Sequence, residues 1–376
     1  MISKRAQALK PSPTLAMANR ARELQAQGKD IVSLTVGEPD WATFPAANEA
    51  GIHAIQSGFT KYTAAHGIVE LRQEVAKQYT DLLGVQYSAN DVVIGCGAKY
   101  ILFSGMMMWL DPGDEVLIPT PYWVSYPAMV ELAGGVPKFI ECDESTNFKL
   151  TPEKLKKSIT SKTSCLLLAS PSNPTGIQYT KEELKKLAEI LKEFPKLKII
   201  SDDIYNRLLF SDEKMSPHLL HVAPEMRDRI LVVNGVSKTY SMTGWRIGWG
   251  IGPAELMKPM ADFLSQTTSN VSSISQKAAL AALQNCDPDL EIARKNLKKK
   301  KDLFLESLNK IKNIKAIPPD GAFYIWLDIK NLLGKTHKPS NTKIQNSKEV
   351  CEALLNFHYV ATVPGIEFGA EGYLRL

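Results

Sequence analysis

From Asp91 to Ile251 the chain alternates short apolar runs with longer amphipathic ones, and this alternation is its strongest constraint on the fold. The strand-like runs are "DVVIGCG", "DEVLIPTPYW", "TSCLLLASPSNPTG", "LKIISDDIY" and "RILVVNGVSKTY". Between them lie helix-like segments such as "AKYILFSGMMMWL" and "KEELKKLAEILKEF". A further helix, "ELRQEVAKQYTDLLG", precedes them and ends in glycine, a common helix stop. Continuous apolar strands separated by helices give βα units and a mostly parallel sheet covered on both faces. The expected fold class is α/β, with a large domain over residues 41–275. Residues 1–40 and 276–376 form a smaller α+β domain, in which "GAFYIWLDI" and "YVATVPG" read as strands.

A length of 376 residues suits this division better than one core. The net charge of +5 is spread along the chain. Its densest basic run, Asn296–Lys315, carries Leu297, Phe304, Leu308 and Ile311 at helical spacing. That pattern is an amphipathic helix with a lysine-rich wet face and gives no nucleic-acid signature. The five cysteines are scattered without a C-x-x-C pair, which disfavours disulfides and structural zinc and fits a reducing cytoplasm. The six histidines form no H-E-x-x-H; His218 and His221 read as core or surface residues. No apolar run reaches bilayer length and no signal-peptide core opens the chain, so a soluble cytoplasmic protein is expected. The polar stretch "GKTHKPSNTKIQNSKE" is expected to be disordered.

In an open parallel sheet, ligands bind beyond the carboxyl ends of the strands. After "DVVI" comes "GCGAKY", whose small residues and following helix start offer a phosphate cradle at Ala98 and Lys99. It lacks the third glycine of a dinucleotide fingerprint. After "DEVLIP", Trp123 either plugs core or stacks on a flat ring. In "PSNPTG", Asn173 either serves the turn or offers its amide to a ligand oxygen. Asp202 ends an apolar strand, where a carboxylate needs a positive partner such as a protonated ring nitrogen. Tyr205 follows within reach of the same ring, and Asp203 suits a helix N-cap. After "RILVVNG", Lys238 stands in a hydroxyl-rich turn followed by Arg246, without Walker A spacing. An amine, a ring-nitrogen partner, a stacking aromatic, an amide and an anion site are the parts that pyridoxal phosphate requires.

These residues resemble the fold-type I, class I aminotransferases, in the branch of bacterial aspartate aminotransferases. The resemblance runs through "KPSPTLAM", "LTVGEPDW", "TKYTAAHGIVELR", "DPGDEV", "PYWVSYP", "SPSNPTG", "SDDIY", "SKTYSMTGWRIGW", "GAFY" and "VPG", in order. It implies pyridoxal 5′-phosphate as cofactor and amino-acid and 2-oxo-acid substrates. Lys238 would hold the cofactor as a Schiff base, Asp202 its ring nitrogen, and Tyr205 and Asn173 its ring oxygen. Trp123 would stack on the ring. Arg246, Ala98 and Lys99 would bind the phosphate, joined by Tyr62 of a second subunit in a homodimer. Arg375, Gly37 and Asn173 would take the substrate α-carboxylate, and Lys99 a distal carboxylate. Lys10 and Thr14 match positions tied to prephenate use. The implied reaction is aspartate:2-oxoglutarate transamination, with aromatic or kynurenine-like transamination or β-lysis as alternatives. Three departures stand out. Tyr100 replaces a usual Gln, "WATFP" replaces a shorter acidic stretch, and Arg375 is the penultimate residue, where a frayed end would hold a carboxylate poorly.

Overall fold

The computed structural model describes residues 2, 3, 6, 7, 9 and 13–376. After β1 (Val32–Ser33), the alternating region builds one seven-stranded sheet. Its strands are β2 (Val92–Gly95), β3 (Glu115–Pro119), β4 (Val136–Ile140), β5 (Thr163–Ala169), β6 (Lys198–Asp202), β7 (Ile230–Gly235) and β8 (Gly248–Ile251), in the order β2-β8-β7-β6-β5-β3-β4. β8 runs antiparallel to both its neighbours, and the remaining pairings are parallel.

Alternation along each strand sorts its side chains between two cores. Ile94, Leu117, Leu166, Leu168, Ile199 and Val232 face one cluster, while Val93, Val116, Ile118, Leu167, Ile200 and Val233 face the other. Both faces are covered, which is why these strands read as continuous apolar runs and not as alternating ones. Two helix ends illustrate local control by the sequence. Gly84 ends Val69–Leu83 in the left-handed conformation, and Thr180 caps Lys181–Glu193 in a capping box with Glu183.

The smaller sheet comprises β9 (Lys315–Ile317), β10 (Trp326–Asp328), β14 (Val363–Pro364) and β15 (Tyr373–Arg375), in the order β14-β15-β10-β9. β11 (Thr336–His337) and β12 (Thr342–Lys343) form a hairpin, and β13 (Val360–Ala361) pairs in parallel with β1. The helix Ser273–Asn285 puts Ala278, Ala279 and Ala282 into the same core as Leu71 and Val75 of the large body.

Several expectations need correction. "GAFYIWLDI" is a strand only from Trp326, because Gly321 turns back to bridge Leu209. "YVATVPG" splits into β13 and β14, which pair with different partners. The basic helix starts earlier and stops at Leu308, so Ile311 lies beyond it and is exposed. The stretch expected to be disordered forms the β11–β12 hairpin and the cap of the next helix, where Asn346 accepts from Glu349 N–H. Arg375 is not frayed: β15 is paired on both sides, and Leu376 exchanges two backbone hydrogen bonds with Ile325. Among the described residues, no helix is long and apolar enough to cross a membrane.

Candidate active site

Four parallel strands end at one edge of the sheet, and each is followed by a candidate residue. Trp123 follows β3, Asn173 follows β5, Asp202 ends β6, and Lys238 follows β7. Because β8 is reversed, its beginning lies at this same edge, and that brings Arg246 into the group. A cavity of about 390 Å³ at this edge is lined by all five of these residues and by Gly37, Ala98, Lys99, Tyr205 and Arg375. Its size is that of a small-molecule site.

Lys238 sits in a helical turn, Val236–Thr239, and not in a continuation of the strand. Its Nζ donates to the carbonyl of Gly37 at 2.5 Å. Burial lowers its pKa to about 8; Glu38 and Asp202 oppose that shift, and Arg246 and Arg375 add to it. Asp202 is 4% exposed. Its Oδ2 accepts from the Tyr126 hydroxyl at 2.7 Å, its Oδ1 accepts from Ile204 N–H at 3.3 Å, and burial raises its pKa to about 6. Asp203 is no helix cap. It is buried on the other side of the strand, where its Oδ1 accepts from Ser201 Oγ at 2.6 Å. His218 is a buried core residue that accepts from Leu220 N–H and starts a short helix.

The helix Ala98–Trp109 begins at Gly97 without a side-chain cap, and Ala98 and Lys99 of its first turn line the cavity. Two glycines create room for that approach. A Cβ on Gly97 would lie 2.6 Å from Arg246 Nη2, and one on Gly248 would lie 2.3 Å from the Ala98 nitrogen. Arg246 itself holds φ 59°, an uncommon backbone for a non-glycine residue, and its Nη1 donates to Thr243 O at 2.8 Å. Uncapped N–H groups, a helix dipole and a guanidinium at one spot make an anion site. Lys99 Nζ stands 4.8 Å from the Trp123 ring centroid, and desolvation and Arg246 both lower its pKa.

At the far side of the cavity Arg375 is 3% exposed. Its Nη1 donates to Asn173 Oδ1 at 3.1 Å and its Nη2 to Thr35 O at 2.6 Å, while its buried Nε has no partner. The Tyr324 hydroxyl meets the Tyr205 hydroxyl at 2.6 Å and accepts from Asn173 Nδ2 at 3.4 Å. Sequence reasoning singled out neither Tyr126 nor Tyr324 nor Thr35. Tyr126 and Tyr324 lie inside the family-like strings "PYWVSYP" and "GAFY", the one signal in the chain that points to them.

Of the other expected residues, one stands apart from the cavity. Tyr62 is 91% exposed on the surface. Thr14 falls in the helix Pro13–Ala26, and Lys10 lies outside the described residues. No group of metal-binding side chains occurs among the described residues.

Residues 29–376 match the family model "Aminotransferase class I and II". A probable aspartate/prephenate aminotransferase of Rickettsia felis is 44% identical over 377 aligned positions, covering 100% of this chain and 91% of its own. The aspartate/prephenate aminotransferase of Cereibacter sphaeroides is 44% identical over 98% of this chain and 92% of its own. Among solved structures, the aspartate aminotransferase of Rhizobium meliloti superposes with a TM-score of 0.96 at 39% identity, covering 100% of this chain and 94% of that one. That of Thermus thermophilus with maleate gives 0.91 at 39% identity with the same coverage. The fold is therefore that of the aspartate aminotransferases, fold type I, and the chain belongs to the class I and II aminotransferases.

Proposed function

We propose that the protein binds pyridoxal 5′-phosphate through Lys238 and moves the amino group of a dicarboxylic amino acid, aspartate first, to 2-oxoglutarate. One observation carries this reading. A desolvated amine, a buried carboxylate and a buried guanidinium line the same cavity, beside a helix start built for an anion. The residues fit the cofactor. The Gly97–Gly248 cradle with Arg246 suits its phosphate, the flat Trp123 side chain its ring, and Asp202 its ring nitrogen. Tyr205 and Asn173 would exchange the Tyr324 hydroxyl for the ring oxygen.

When bound, the cofactor supplies an electron sink for the substrate Cα–H bond. Lys238 Nζ would take the proton from the substrate Cα and deliver it to the cofactor carbon that receives the amino group. Its lowered pKa leaves more of the amine neutral near pH 7 than an ordinary lysine has. Asp202, raised only to about 6, is mostly ionised at that pH and pairs with a protonated ring nitrogen. Tyr126 holds Asp202 in place. The free Nε of Arg375 leaves its fork able to grip the α-carboxylate, beside the backbone of Gly37. Lys99, at the mouth, takes the distal carboxylate, and the maleate bound by the Thermus thermophilus relative is itself a dicarboxylate.

The exposed Tyr62 reaches the phosphate of a second copy, so that the working form is a homodimer. Prephenate is a further acceptor, with Lys10 and Thr14 bearing on it, as the names of the relatives suggest. The protein acts in the cytoplasm, in keeping with five free cysteines. A large body and a small body meet at this cavity. The packing of Ser273–Asn285 argues for a boundary beyond residue 275, within the helix Asp287–Leu308.

Borohydride trapping followed by peptide mass spectrometry should find a pyridoxyl group on Lys238; a saturated protein without it there would overturn the assignment. Rates on aspartate, glutamate, phenylalanine, cystathionine and prephenate then rank the substrates. Lys99→Met should cut kcat/KM for aspartate by about tenfold to a hundredfold and leave phenylalanine nearly unchanged. Equal losses on both would remove Lys99 from substrate selection.

A further inference from the structure

The loop that carries Tyr62 is exposed at its tip yet tied down at its base by one buried side chain. Gln276, fully buried in the helix Ser273–Asn285, accepts from Ile68 N–H through Oε1 at 2.7 Å. Its Nε2 donates to Thr63 Oγ1 and to Val271 O, both at 3.0 Å. One amide thus holds the residue after Tyr62 and the end of the loop together. The same helix secures the loop start, where Ser273 Oγ donates to Phe59 O at 2.9 Å. Gly67, at φ +100°, makes the turn that lets Ile68 face Gln276, and His66 O accepts from Ile94 N–H of β2 at 3.0 Å. Three residues beyond Ile94 stands Gly97, at the start of the anion cradle.

A tyrosine that is 91% exposed gains nothing within its own subunit from such anchoring. The cost of leaving Ile68 N–H and a buried amide unpaired explains why the loop base is rigid, and rigidity matters only if the tip must meet something fixed. We propose that Gln276 is a positioning residue that sets Tyr62 for the phosphate of the partner subunit, so that its effect on cofactor binding is felt in trans. This inference rests on the homodimer reading given above.

Hybrid dimers with differently tagged subunits test it. In the first hybrid, one subunit carries Gln276→Leu and the other carries only Lys238→Ala. The surviving site then receives Tyr62 from a subunit with an intact anchor, and its affinity for pyridoxal 5′-phosphate should match that of a hybrid with Lys238→Ala alone. In the second, both substitutions lie in one subunit opposite an unaltered one. The surviving site now receives a loosened Tyr62, and the cofactor should bind about tenfold more weakly. Affinity for pyridoxal, which has no phosphate, should be equal in both hybrids. Thr63→Val, which removes one hydrogen bond and spares Ile68, should give the same pattern with a smaller change if Gln276→Leu does not fold. A loss seen in the first hybrid, or in neither, overturns the role of Gln276. Tyr62→Phe run in the same two arrangements separates the layers: if its own loss does not follow the partner, the two-subunit reading fails as well.

Discussion

The two halves of the cavity are built in different ways. The half proposed for the cofactor comes from consecutive strand ends, Asp202 on β6, Lys238 after β7 and Arg246 before β8, within 45 positions of one another and rooted in strands that are buried except at Lys198. The half proposed for the substrate brings together Thr35 and Gly37 near one end of the chain, Tyr324, and Arg375 beside its last residue. Its side chains are joined by hydrogen bonds between distant parts of the chain: Arg375, on the paired strand β15, donates to Asn173 and Thr35, and Tyr324 meets Tyr205 and Asn173. The difference teaches that the first half is set by the pairings of a single sheet, whereas the second also depends on side-chain hydrogen bonds spanning two sheets. Damage to the first should abolish chemistry, and damage to the second should weaken substrate grip and fold together.

The largest effect is expected at Lys238. Lys238→Ala removes both the proposed covalent anchor and the proposed proton carrier and should lower turnover by roughly a thousandfold or more. Turnover within tenfold of the parent would break the assignment of that half. Next comes Arg375→Lys, which keeps the charge but loses the fork. We expect kcat/KM to fall by about a hundredfold, on the scale of a disrupted buried charge-assisted pair. A pure loss of kcat, with KM unchanged, would show that Arg375 does not grip the ground-state substrate.

A smaller effect of opposite sign sharpens the comparison. The pKa of Asp202 in the folded protein is about 6, above its ordinary 3.8, because of burial. Between these values the folded form holds more protons than the unfolded one, so stability falls as pH rises through that window, and the deficit is complete above it. Asp202→Asn should therefore stabilise the cofactor-free protein at pH 7 by about 1–3 kcal/mol. At pH 4 most of that gain should be gone, and activity should be low throughout. Thermal unfolding at the two pH values checks this; an asparagine variant less stable at pH 7 would mean that Tyr126 and Ile204 stabilise the ionised carboxylate more than burial disfavours it.

Much of the cofactor half is legible in the sequence alone. A parallel sheet forces ligands to its carboxyl edge, so the residue after each apolar run is the one to inspect. That rule finds Trp123, Asn173, Asp202 and Lys238 directly. It does not find Tyr126, whose hydroxyl reaches Asp202 across 76 positions of sequence, or Tyr324, which reaches Tyr205 across 119. The helix-cap reading of Asp203 fails as well: Asp203 follows the strand yet points to its opposite face, where it accepts from Ser201.

By itself the sequence determined five strands of the large sheet, the glycine stop at Gly84, the mostly parallel pairing and the amine at the sheet's edge, because these follow from local propensity and from the period of apolar residues. Only the tertiary structure decided that a penultimate arginine is buried and held, that a reversed strand delivers Arg246 to the same edge, and that Gln276 bonds both Thr63 and Ile68. Each of these depends on hydrogen bonds and strand pairings between residues far apart in the chain. Such pairings leave no periodic trace in the order of the amino acids.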